Sequence, residues 1–150
     1  MTQSTPSAEP RLIVPTLNGI YAMGRPLAET AMRVFAGIAL IVHGWPKIQN
    51  PMGMAGMVEG LGFAPGFFWA PLLAVTEFFG GILLALGLLT RPAAFATMIV
   101  LLTTVYAHWV AMGQGWSGAE LSILWSTILL YFVMAGGNRF SVDAIIGRQF

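Results

Sequence analysis

Four apolar stretches, roughly Leu27–Ile48, Phe67–Leu89, Pro92–Met112 and Ala119–Gly136, constrain this chain more than any other feature. Each is close to the ~20 residues that carry a helix across a ~30 Å hydrocarbon layer. Backbone that crosses lipid has no water to satisfy its N–H and C=O groups, and a helix satisfies them internally. Composition agrees: 57% of the 150 residues are hydrophobic, 9% are charged and the mean hydropathy is +0.76, far outside soluble-domain usage. The sequence therefore predicts an all-α bundle of four transmembrane helices over residues 27–146, with the lipid bilayer as its first partner.

The connections refine that topology. Only "LTRPA" joins the second and third stretches, with Thr90 able to cap the next helix and Pro92 suited to its first turn, which demands an antiparallel hairpin. Between the first two spans, Met54, Met57, Val58 and Leu61 recur at helical spacing and predict a short amphipathic surface helix. Its methionines read as a plastic apolar face rather than as copper ligands. Residues 1–26 lack the basic start, unbroken apolar core and small-residue cleavage site of a signal peptide. Pro15, Asn18 and Gly19 break Leu12–Met23, so an interfacial strap or loop is expected there rather than a span. Four spans put Arg11, Arg25, Arg33, Arg91, Arg139 and Arg148 on one side and Lys47 on the other. By the positive-inside rule, the N-terminal segment 1–26 and the tail 147–150 are cytoplasmic, with Lys47, Trp116 and Glu120 at the outer face.

Several chemistries are excluded. The Lys and Arg residues are scattered singly, so no patch exists to hold nucleic acid. With no cysteine, the chain cannot supply a disulfide, a zinc–thiolate site or a cysteine-ligated iron–sulfur cluster. Any redox role needs a borrowed cofactor.

Glu77 is the residue that most needs a reason, because a carboxylate near the bilayer centre is costly and usually marks a polar pathway or an internal partner. It lies about 15 Å below the outer end of its span at ~1.5 Å per residue. His43, His108 and Glu120 fall in the same outer half. Catalytic candidates are therefore Glu77, His43, His108 and Glu120, and cofactor-binding candidates are His43, Lys47, Gly81 and Trp109. Arg33, Gly37, Leu40, Gly44 and Lys47 trace one stripe, and Glu77, Gly81 and Ala85 trace another. Plainer roles fit too. Arg33 pairs at i, i+4 with Glu29 as a snorkelling anchor, the histidines hydrogen-bond between helices, Trp45, Trp109 and Trp116 form an interfacial belt, and Gly80 and Gly81 permit close helix approach.

The pattern Arg33…Gly37…His43-Gly44…Lys47, then Leu61-Gly62, then "EFFGGILLALGLLTR", then Glu120 and Gly137…Arg139-Phe140-Ser141-Val142-Asp143 resembles the DoxX family of small bacterial membrane proteins. The likeness runs from about Leu27 to Ile146. It implies a four-helix domain of the bacterial cytoplasmic (inner) membrane, related to subunits of a thiosulfate:quinone oxidoreductase and its terminal quinol oxidase. The first expectation is a quinone-facing accessory subunit, its electrons supplied by a membrane or peripheral oxidoreductase partner. The alternative is a non-catalytic scaffold whose small-residue stripes dock partners or a second copy of the chain. Haem held between His43 and His108, and a small-molecule transporter, are weaker readings.

Overall fold

The computed structural model describes residues 12–149. All four expected spans are present, and no strand occurs among the described residues. A short 3-10 turn at Pro15–Leu17 leads into α1, Asn18–Gln49. The surface helix α2 is Ala55–Gly60, α3 is Gly66–Leu86, and α4 is Thr90–Tyr106, prolonged by a π-helical turn at Ala107–Ala111. Helix α5 is Gly115–Ala135 and a last short helix, α6, is Val142–Ile146.

Helix α1 starts nine residues before the expected span, so Asn18–Met23 is helical and not a loop. Pro15 stands in the preceding turn, Asn18 and Gly19 open the helix instead of interrupting it, and a helical glycine costs only about 1 kcal/mol. Pro26 is also inside the helix, and the Pro26 carbonyl accepts from Thr30 Oγ1 at 2.7 Å and from Asn138 Nδ2 at 2.8 Å. The 32 residues of α1 extend ~48 Å at ~1.5 Å each, well beyond the hydrocarbon thickness. The remaining N-terminal expectations, Arg11 included, fall on residues 1–11, outside the described residues.

Helix α1 packs chiefly on α3, and α4 on α5. Close approach of α1 to α3 depends on Gly37 and Gly81. A Cβ on Gly37 would lie 2.6 Å from Ala85 N and Gly81 O, and one on Gly81 would lie 2.8 Å from Gly37 O. The buried core is Ala36, Leu40, Leu84, Ala94, Leu129 and Phe132. Outward faces carry Ile38, Val42, Phe79, Leu102 and Leu130, apolar and exposed as lipid contact requires.

The α3–α4 hairpin closes as the sequence predicts, but by a different cap. Gly87 ends α3 in the left-handed region at φ 70°, and Leu89 follows at φ 50°, a conformation that costs leucine roughly 1–2 kcal/mol. Thr90 does not cap α4. The carboxylate of Asp143 does, accepting from Leu89 N at 2.8 Å, Thr90 N at 2.9 Å and Thr90 Oγ1 at 2.7 Å. Beside it, Arg33 is 2% exposed and donates to the carbonyls of Leu84 at 2.7 Å, Ala85 at 2.8 Å and Phe140 at 3.2 Å. The expected Arg33–Glu29 pair is therefore absent. Glu29 instead accepts from Arg25 Nε at 3.0 Å and Tyr131 Oη at 2.7 Å. Arg33 adds a donor to carbonyls of the last turn of α3, where a cation also suits the helix dipole. One end of the bundle is thus clamped through α1, the hairpin and the C-terminal segment.

Candidate functional site

At the other end the helices surround a partly open cavity of about 330 Å³. Helix α1 contributes His43 and Lys47, α3 contributes Glu77, α4 and its π turn contribute Thr104 and His108, and α5 contributes Ser122. Leu40, Leu101, Leu121 and Trp125 supply apolar walls. The α1 stripe explains how Lys47 arrives there. Gly44 rests on the backbone of Phe78, and one turn further along Lys47 Nζ forms an ion pair with Glu77 Oε2. Glu77 is 5% exposed, at the twelfth of the 21 residues of α3, about 16 Å along the axis from Gly66 at ~1.5 Å per residue. An acid at that depth is tolerated because the ammonium of Lys47 meets it.

The π-helical turn matters for His108. One extra residue per turn rotates everything after it about the helix axis, and such turns recur at functional sites. His108 faces the cavity, and its Nδ1 lies 2.7 Å from Gln114 Oε1. An amide oxygen only accepts, so the ring donates from Nδ1 and Nε2 is not engaged by the glutamine. The backbone repeats the tie, with Gln114 N donating to His108 O at 2.9 Å. Gly118 leaves room for the glutamine, since a Cβ there would lie 2.5 Å from Gln114 Oε1. Thr104 Oγ1 donates to Val100 O at 3.0 Å, which leaves its lone pairs free to accept.

Of the residues singled out in the sequence, His43, Lys47, Glu77 and His108 come together around this cavity. Glu120, Gly81 and Trp109 do not. Glu120 is exposed on α5, where the cavity face is Gly118, Leu121, Ser122, Trp125 and Leu129. Gly81 is consumed by the α1 crossing, since its Cβ position is filled by Gly37 and Leu40. Trp109 is 43% exposed and meets Trp116 edge-on at a centroid distance of 6.0 Å, as an interfacial pair would. Thr104, Gln114 and Trp125 were not singled out in the sequence. Thr104 stands four residues before His108, a spacing that could have revealed it, whereas nothing local marks Gln114.

A larger, mostly apolar groove of about 710 Å³ adjoins the cavity, between α3 and α4 beneath α2. Met54 and Met57 line it.

The sequence model of the DoxX family matches residues 28–109, a span that contains His43, Lys47, Glu77, Thr104 and His108. An uncharacterised protein of Haemophilus influenzae is 34% identical over 129 residues, covering 79% of this chain and 90% of that protein. The inner membrane protein YqjF of Escherichia coli is 29% identical over 121 residues, covering 78% of this chain and 90% of its own. A Bacillus subtilis protein named "Putative oxidoreductase CatD" is 31% identical over 119 residues, covering 77% and 84%. No solved structure matches the chain.

Proposed function

This chain belongs to the DoxX family, and from that premise we propose that it is a quinone-facing accessory subunit of a membrane oxidoreductase. One observation carries the reading: the Lys47–Glu77 pair and both histidines of the chain border a single cavity between the spanning helices instead of being packed over by side chains. Polar groups placed only to hold helices together would not need that space. The name of the Bacillus subtilis relative points the same way.

The residues fit a quinone head group. Its carbonyl oxygens need donors, which Lys47 Nζ and a protonated imidazole supply, and its ring faces need apolar walls such as Leu101 and Trp125. The cavity volume lies at the low end of the ~300–1,000 Å³ usual for small-molecule sites. A bound quinone supplies redox chemistry in which protons accompany electrons. The chain's own part is to move those protons. Lys47 holds one within reach of Glu77, His108 is oriented by Gln114 with Nε2 free to exchange, and exposed His43 connects the cavity with its surroundings. Electrons come from a partner protein, because a chain without cysteine cannot ligate a cluster with its own thiolates.

The scaffold alternative loses its main support. The stripes offered for docking are used inside the chain, with Gly37, Gly44 and Gly81 filled by neighbouring helices and Ser126 buried and donating to Ser122 O at 2.7 Å. We place both termini in the cytoplasm, in keeping with the arginine distribution, and the chain in the inner membrane, in keeping with the name of the Escherichia coli relative. A reporter fused at Phe150 that works only outside the cytoplasm would reverse this.

Purification in mild detergent with analysis of co-extracted quinones tests the function. The wild-type chain should retain quinone, and Glu77→Gln should assemble normally while turnover of the complex falls about a hundredfold, the scale of a lost acid–base group. A quinone-free preparation together with normal respiration in the Glu77→Gln strain refutes the assignment.

A further inference from the structure

We infer that the ligand of this site carries a long apolar chain, and that the groove between α3 and α4 is the seat of that chain. The inference rests on the quinone reading and adds the substrate class to it: a lipid-soluble quinone rather than a short-chain or water-soluble one.

Three observations support it. The groove and the polar cavity are not independent, since both are bordered by Lys47, Thr104 and His108. A head group hydrogen-bonded at this neck has the groove directly behind it. Beyond the neck the lining turns apolar, with Met57, Phe63, Trp69, Leu72, Ala96 and Ile99 among its walls. At about 710 Å³ it is roughly twice the cavity, a proportion suited to a chain longer than its head.

Helix α2 and the loop after it roof one end of the groove. Val58 of α2 is buried, and Glu59 Oε2 accepts from Gly66 N at 3.0 Å, which fastens α2 to the start of α3. Contact there is so close that a Cβ on Gly66 would lie 2.1 Å from Ala55 O. Phe63 meets the rings of Trp69 on α3 and Tyr106 on α4 edge-on, at centroid distances of 6.4 and 6.1 Å, so the α2–α3 loop spans both walls. Methionine in such a roof adapts to a flexible chain. Charge separates a quinone from a phospholipid. Lys47 is already matched by Glu77, so the neck offers hydrogen bonds but no surplus of positive charge for a phosphate.

Binding of two probes to the full-length protein in nanodiscs tests this: a decyl-substituted benzoquinone, and the same ring carrying a methyl group instead of the decyl chain. Wild-type protein should bind the decyl probe more tightly with each affinity referred to the probe's concentration in the bilayer, so that partitioning of the decyl chain into lipid does not count as binding. Ala96→Trp fills the groove from α4 and should weaken the decyl probe about tenfold while leaving the methyl probe within about twofold. Leu72→Trp repeats the test from α3 should the first variant misfold, with thermal melts reporting folding. Glu77→Gln should weaken both probes alike. Equal affinity of the two probes for wild-type protein, or no effect of either tryptophan on the decyl probe, overturns the inference and leaves the head-group site standing. Binding of neither probe removes both. Displacement of the decyl probe by anionic phospholipid in place of quinone also overturns the inference, by assigning the groove to a lipid.

Discussion

Replacing Lys47 by Met should destabilise this protein more than replacing its partner Glu77 by Gln, although both changes remove the same ion pair. The asymmetry comes from burial. The Glu77 side chain is 6% exposed and that of Lys47 25%. Without Lys47 the carboxylate stays at mid-span with no cation beside it, and breaking a buried pair from one side costs about 3–5 kcal/mol. Partial access through the cavity favours the lower figure. Without the negative charge, the freed ammonium of Lys47 has a flexible stem and an open side toward the cavity, so Glu77→Gln should cost about 1 kcal/mol, near the surface-pair regime. The double variant leaves neither charge uncompensated and should be more stable than Lys47→Met alone, by about 2 kcal/mol. Thermal unfolding of the purified variants in one detergent provides the measurement. At about 2–4 °C per kcal/mol for a chain of this size, Lys47→Met should melt roughly 6–12 °C below wild type and the double variant only about 2–4 °C below. Effects that simply add, or a Lys47→Met protein as stable as Glu77→Gln, would show that Glu77 is not desolvated and would remove the physical basis of the site.

Arg33→Met should cost about 1–3 kcal/mol by taking the guanidinium donor from the Leu84, Ala85 and Phe140 carbonyls, and Arg33→Lys should recover only part, because one ammonium cannot reproduce the guanidinium fork. A lysine variant that melts with wild type would refute this. Gly37→Ala should cost about 2–3 kcal/mol by driving a methyl into the α3 backbone. Gly24→Ala, with nothing within 4 Å of the new methyl group, should instead be neutral or stabilise by up to about 1 kcal/mol in the same assay.

The sequence allowed the spans, the surface helix and the hairpin to be read directly, because each rests on a local signal: length, helical periodicity, or a five-residue connection. Half of the site was legible for a similar reason. His43 and Lys47 sit at i, i+4 on one helix, and Glu77 is too costly in a span to be incidental. What failed depended on angle or on distant chain. Trp109 lies within a π turn, which breaks the phase that a straight helix would give. Glu120 is two residues from Gly118 and from Ser122, about 200° around α5 from the cavity face at ~3.6 residues per turn. Gly81 shares a stripe with Glu77, but only the longer side chain reaches past the crossing that Gly81 makes possible. The Arg33–Glu29 pair was an attractive i, i+4 reading that lost to carbonyls more than fifty residues away. Asp143 took the capping role from Thr90 at a similar separation.

The two ends of the molecule are linked by one face of α1. Read downward, Arg33 meets Leu84 and Ala85, Gly37 meets Ala85 and Gly81, Gly44 meets Phe78, and Lys47 meets Glu77. That is an antiparallel register in which fifteen residues of α1 pass nine of α3, with a cation at each end and glycines between. The glycines bring the axes close enough for a single lysine to reach Glu77, while the Arg33 clamp fixes how far α1 slides along α3. A slip of one residue would rotate α1 by about 100°, taking Lys47 off the carboxylate and Arg33 off the α3 carbonyls together. The Arg33 clamp and the cavity that we assign to quinone are therefore parts of one device, which explains why the residues that resemble the family lie in both.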